Sequence, residues 1–166
     1  ERCDSDIDKI LSSERSPLML IIDRIQDPGN LGTIFRSSEA AGVTGIILCR
    51  GTVDIYQPKT VRSTMGSIYR LPFDHMDSAE DAAMLLKKKG LKIAAADIGD
   101  YTSYDMIDSC GPLAYIIGNE ANGLSEAAKK SADIFVNIPM LGSVESLNAA
   151  VTASILVFDA ARQRRG

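Results

Sequence analysis

The segment Leu18 to Ile25 (LMLIIDRI) constrains the fold more than any other, since apolar residues fill it almost without interruption and leave no polar face. A run of this length and pattern marks a strand covered on both sides, as in parallel sheets flanked by helices. Similar short runs recur at Gly45 to Cys49, Leu91 to Ala96, Leu113 to Ile117 and Ile134 to Ile138, and Ser67 to Leu71 reads as a further strand. Helical patterns lie between them. Asp27-Pro28-Gly29-Asn30 reads as a turn, after which Leu31, Ile34, Phe35 and Ser38 share one helical face as far as Ala41, with Gly42 as the stop. Pro58 to Met65 reads as a short helix opened by proline and ended by Gly66. Ser78 to Lys89 is amphipathic, with Ala82, Leu85 and Leu86 inward, and Ser125 caps a short helix to Lys130. A final helix is expected from Ser146, its cap, to Arg164, with the small residues Ala149, Ala150, Ala153 and Ala160 suited to close packing. Alternating strands and helices of this kind define an α/β fold with a mostly parallel sheet flanked by helices.

A chain of 166 residues is enough for one domain with a sizeable core. The domain is expected over 17–166, and the polar stretch 1–16 reads as a lead-in or the remnant of a linker. The lack of an initiator methionine reads as a trimmed or a processed chain, and the polar N-terminus reads as carrying no secretory signal. No apolar run approaches the roughly 20 residues of a membrane span. Cys3, Cys49 and Cys110 are odd in number, match no metal-ligand spacing and suit a reducing cytoplasm. The net charge of −4 is unusual for a nucleic-acid binder. Local basic groups offset it: Lys59 with Arg62 and Arg70, the run Lys87 to Lys89, and Arg162 with Arg164 and Arg165.

Parallel sheets bind ligands at the carboxyl ends of their strands. Three polar, glycine-containing segments fall there: Asp27 to Arg36, Gly118 to Ser125 and Ile138 to Asn148. None has the G-x-G-x-x-G spacing of a dinucleotide fingerprint or the lysine of a Walker loop, which argues against an oxidoreductase or a nucleotide triphosphatase. The single histidine, His75, has no nucleophile nearby in sequence and reads as a surface loop residue.

These three segments resemble, in order, the signature motifs of the SpoU (TrmH-like) family of SPOUT-class RNA methyltransferases. The likeness rests on Asn30-Leu31-Gly32 with Arg36, on Gly118-Asn119-Glu120 with Gly123-Leu124-Ser125, and on Ile138-Pro139-Met140 with Gly142 and Ser146-Leu147-Asn148. Arg62-Ser63-Thr64-Met65-Gly66 resembles the family's connecting segment. The resemblance implies a C-terminal trefoil knot, a homodimer with active sites at the subunit interface, and methyl transfer from S-adenosylmethionine to a ribose 2′-hydroxyl of structured RNA. Ribosomal RNA is favoured over transfer RNA as the substrate. It further implies cofactor contacts from Gly118, Ile138, Met140 and Leu147. The catalytic set it implies is Arg36, Asn30, Glu120, Ser146 and Asn148, with Arg36 acting on the ribose hydroxyl and Ser146 and Asn148 at the start of the last helix. Asn30 and Arg36 are expected to face one strand-end cleft, with Glu120 accepting hydrogen bonds from Asn30 or backbone amides. The alternative is an inactive RNA-binding or ribosome-assembly factor on the same fold; retention of Arg36, Asn30 and Asn148 argues against it.

Overall fold

The computed structural model of the chain describes residues 7–11, 16–99 and 101–165. The apolar runs at 18–25, 45–49, 91–96, 113–117 and 134–138 become strands of one parallel sheet, which among the described residues consists of β1 (Leu18–Ile22), β2 (Gly45–Cys49), β3 (Phe73–Met76), β4 (Lys92–Ala96), β5 (Thr102–Ser103), β6 (Leu113–Ile117) and β7 (Ile134–Asn137). Their order across the sheet is β3-β2-β1-β6-β4-β7-β5. The chain first builds outward from β1 through β2 to β3, then crosses back to fill the other half. All neighbours pair in parallel.

Among the described residues six helices cover the two faces: α1 (Ile7–Leu11), α2 (Pro28–Ala41), α3 (Pro58–Ser63), α4 (Ala79–Lys88), α5 (Glu126–Ser131) and α6 (Ala149–Arg164). Successive strand residues point to opposite faces, so β1 feeds two cores. Leu18, Leu20 and Ile22 join residues of α2 and α6, whereas Met19 and Ile21 join α1, α4 and α5. Side chains of this size contribute about 1.5–3 kcal/mol each when buried. The uninterrupted apolar run is therefore the signature of a strand with a core on each side.

Three sequence expectations need correction. Ser67 to Leu71 is not a strand: Ser67–Tyr69 forms a 3-10 turn, and the strand follows at Phe73. Gly66 at φ 88° starts the turn, and the Ser67 hydroxyl donates to the Thr64 carbonyl at 2.8 Å. His75 sits on strand β3 rather than in a loop, although it is exposed as expected. The Asp27 to Asn30 stretch belongs to the helix, because Asp27 is its N-cap, accepting from the Asn30 amide at 2.8 Å, and Pro28 opens the first turn. The two-residue edge strand β5 was not anticipated, since it carries no apolar run. Of the lead-in, Ile7–Leu11 is helical; the rest of that expectation lies outside the described residues.

The alanines of α6 serve the chain's own core. Ala149, Ala150, Ala153 and Ala160 are buried, and α6 lies against α2. At its far end the Arg164 guanidinium donates to four backbone carbonyls: Ser109 at 2.7 Å, Ser16 at 2.6 Å, Pro17 at 3.2 Å and Gly111 at 2.6 Å. It ties the last helix to the entrance of β1 and to the loop before β6. Among the described residues, no helix is long and apolar enough to cross a membrane.

Candidate functional site

A cavity of about 630 Å³ opens where β4, β6 and β7 end. These strands lie beyond the point at which the sheet order reverses, the place where open α/β sheets hold ligands. All four residues expected to contact a cofactor line it: Gly118, Ile138, Met140 and Leu147. Glu120 and Ser146 line it as well.

The cavity rim is held by hydrogen bonds between segments far apart in sequence. The Asn30 amide donates to Glu120 Oε1 at 2.9 Å, and the Asn148 amide donates to Asn30 Oδ1 at 3.0 Å. Glu120 also accepts from the backbone amides of Gln26 at 3.2 Å and Asp27 at 3.3 Å. Asn119 reinforces the same junction by donating to the Arg24 carbonyl at 2.7 Å. One residue from each of the three glycine-containing segments thus enters a single side-chain chain, Asn148 to Asn30 to Glu120.

Burial opposes ionisation of Glu120, but the hydrogen bonds from Asn30 and from the amides of Glu120, Gln26 and Asp27 together prevail and hold its carboxyl below the ordinary 4.5. A carboxyl with a depressed folded-state value contributes stability that is complete above the ordinary value and is lost as pH falls through the folded one. Glu120→Gln is therefore expected to flatten the stability curve below about pH 4.5, measured by urea unfolding across the acid range. Superimposable curves for the two proteins would count against this role.

Two glycines of the motifs are required by packing. A Cβ on Gly32 would lie 1.9 Å from Ser63 Oγ and 2.7 Å from the Ser63 carbonyl carbon, so Gly32 lets α2 and α3 touch. A Cβ on Gly118 would lie 2.6 Å from both the Gly123 carbonyl carbon and the Leu124 nitrogen. Gly118 was expected to admit a ligand. Its close approach in the structure is to the returning 119–123 loop, whose Asn119 and Gly123 exchange backbone hydrogen bonds.

The last helix starts later than expected. Asn148 is its N-cap, accepting from the amides of Ala150 at 2.8 Å and Val151 at 3.4 Å, while Ser146 stands two residues outside, exposed on the cavity wall. Serine and asparagine cap about equally well, so propensity could not separate them.

Arg36 is not brought to the cavity within one chain. It lies six helical positions after Asn30, a rotation of about 240° after whole turns are removed. Asn30 faces the loops, whereas Arg36 is exposed on the outer side of α2, in a groove of about 500 Å³ with Thr33, Ser37, Met65 and Arg70. The expected shared cleft is therefore two separate surfaces of this chain.

Asp97 escaped the sequence reading. It follows β4, lines the cavity and pairs with Lys129 at 3.3 Å. Its signal was present in Asp97-Ile98-Gly99, a fourth polar and glycine-containing strand end. Asp23 was missed too. It is buried beyond β1, where it accepts from the Ser125 amide at 2.8 Å and pairs with Arg24 at 3.1 Å, joining the first strand end to the start of α5.

The fold and cavity define an α/β domain that takes a small ligand in a slot both apolar and acidic. Ile138 and Leu147 wall it, Asp97, Glu120 and Glu145 line it, and no lysine or arginine does so among the described residues. The matching family model is the SpoU rRNA methylase family, over residues 17–158. The chain is 38% identical over 142 residues to the 23S rRNA (guanosine(2553)-2′-O)-methyltransferase RlmP of Bacillus subtilis, covering 84% of this chain and 56% of that protein. It is 37% identical over 164 residues to a 23S rRNA (uridine(2479)-2′-O)-methyltransferase of Streptomyces viridochromogenes, covering 96% of this chain and 57% of the relative. The crystal structure of the SpoU methyltransferase AviRb from Streptomyces viridochromogenes in complex with AdoMet superimposes with a TM-score of 0.89 at 34% identity, over 96% of this chain and 62% of that one. The chain thus spans a little over half the length of these proteins. It belongs to the SpoU rRNA methylase family.

Proposed function

We propose that the protein transfers a methyl group from S-adenosylmethionine to a ribose 2′-hydroxyl of structured RNA, with ribosomal RNA favoured over transfer RNA. One observation carries the reading: a slot at the switch of a parallel sheet, walled by Gly118, Ile138, Met140 and Leu147 and rimmed by residues of all three motifs. The two 23S rRNA methyltransferases among its relatives support the choice of RNA. In this reading residues 17–166 form the catalytic domain, its C-terminal part folds as a trefoil knot, and the protein works in the cytoplasm.

The residues present fit the cofactor. About 630 Å³ lies within the range of small-molecule sites, the apolar walls suit an adenine, and Glu120 and Glu145 suit a ligand carrying positive charge. When bound, S-adenosylmethionine supplies a methyl on a positively charged sulfur, an activated leaving group that needs no metal. The protein's task is alignment, which proximity and orientation serve. Asn30, Glu120 and Asn148 hold the rim in register, and Ser146 stands exposed on the wall beside Leu147. Arg36 completes the site from the partner subunit of a homodimer. A guanidinium scarcely deprotonates and is a poor literal base. Arg36 instead positions an RNA phosphate and the hydroxyl and stabilises the negative charge that develops on the ribose oxygen, while the proton leaves through the phosphate or water.

Calorimetry with S-adenosylmethionine, followed by transfer of a labelled methyl group to total ribosomal and transfer RNA, tests the reading. Saturable binding and alkali-resistant label in ribosomal RNA are expected. A chain that takes up no S-adenosylmethionine would sink it.

A further inference from the structure

We propose that the turn from Thr64 to Arg70 is a stacking platform for an unpaired RNA base flanking the nucleotide that is methylated. This rests on the function proposed above and adds a site to it. Met65 and Tyr69 are each 72% exposed, whereas Thr64, Ser67 and Ile68 between and beside them are buried. Two large side chains therefore stand outward from a turn that is anchored inward.

The anchoring is specific. Ser63 Oγ donates to the Pro28 carbonyl at 2.8 Å, Thr64 Oγ1 to the Val61 carbonyl at 2.7 Å, and Ser67 Oγ to the Thr64 carbonyl at 2.8 Å. Met65 adopts φ 49°, a left-handed conformation that costs a residue with a Cβ and that displays its side chain to solvent.

Charge selects the occupant. Arg36, Lys59 and Arg62 are exposed and pair with no carboxylate among the described residues, although the chain as a whole carries −4. Glu39, the carboxylate that lines the adjoining groove, is occupied by Arg70. The other basic groups read from the sequence are largely spent: Lys87 pairs with Asp133, Lys89 with Asp8 and Arg162 with Asp159, and Arg164 binds carbonyls. An exposed thioether sharing a groove with Arg36, and an exposed ring on a turn that directly follows the helix carrying Lys59 and Arg62, match single-stranded RNA, whose bases stack on aromatic faces while its phosphates meet Lys and Arg. A paired helix offers no base face to such a surface. The groove that Met65 shares with Arg36 places this base next to the reacting ribose.

The chain contains no tryptophan, so Tyr69→Trp installs a unique fluorescent reporter. Single-stranded oligoadenylate should quench it saturably, and salt should reverse the quenching. Tyr69→Ala should weaken oligoadenylate binding by about tenfold, Tyr69→Phe should restore it, and affinity for S-adenosylmethionine should not move in either. Removing Arg62 should lower the salt slope by about one. Oligoadenylate that binds without quenching, or binds Tyr69→Ala as tightly as the unaltered chain, overturns the platform and leaves the methyltransferase reading intact. Failure of the unaltered chain to bind oligoadenylate overturns it as well, as does a change of oligomeric state in Tyr69→Ala by sedimentation, which would make the patch a subunit contact. Failure of the methyltransferase reading shows separately, as absent S-adenosylmethionine binding.

Discussion

Arg36→Ala should leave S-adenosylmethionine binding within about twofold while lowering methyl transfer by roughly two to three orders of magnitude, the usual cost of removing a group that stabilises developing oxyanion charge. The split follows from geometry. Arg36 lines the outer groove of α2 and not the cavity walled by Gly118, Ile138, Met140 and Leu147, so its loss leaves those walls in place. Arg36→Lys should recover only part of the rate, because an ammonium keeps the charge and loses the planar fork that engages a phosphate through two hydrogen bonds. Calorimetry and single-turnover transfer, measured side by side, separate binding from chemistry. Loss of cofactor binding in Arg36→Ala, or full turnover, would refute the assignment. Because Arg36 and the cavity are apart on one chain, the homodimer proposed above has a second test: an Arg36→Ala chain mixed with a chain whose cavity is disabled should regain activity.

The largest effect on stability is expected from Arg164→Ala. Its guanidinium is bound by the carbonyls of Ser16, Pro17, Ser109 and Gly111, and it joins the end of α6 to the entry of β1. Hydrogen bonds to a charged group contribute about 1.5–3 kcal/mol, and the carbonyls left behind are partly shielded from water. A net loss of about 3 kcal/mol would lower Tm by roughly 6–12 °C in a domain of this size. Scanning calorimetry checks it. A shift under about 2 °C would mean that water replaces the guanidinium at little cost. Arg162→Ala is the contrast: the guanidinium is largely exposed and Asp159 keeps its hydrogen bond from Gln163, so the pairing should be worth little.

How much of this could be read without coordinates differs by element. The apolar runs at 18–22, 45–49 and 113–117 became strands with a core on each side, because alternation of side chains makes two-sided burial visible in composition alone. The cap at Ser125 was equally legible, since a cap needs only a hydroxyl and an amide three residues on; Ser78, read as the first residue of its helix, proves to be the cap. The turn at Ser67 and the edge strand at Thr102 were not, as short segments take their form from neighbours rather than from their own pattern.

By itself the sequence determined a parallel α/β domain and the three polar segments that meet at the cavity and its rim, since periodicity and capping act over a few residues. Only the tertiary structure decided that Asn30 reaches Glu120 across 90 positions and Asn148 across 118, that the alanines of α6 turn inward, and that Arg36 faces away from the cavity. Those outcomes follow from the order of strands in the sheet and the angle at which α2 lies on it. Local pattern carries no record of either.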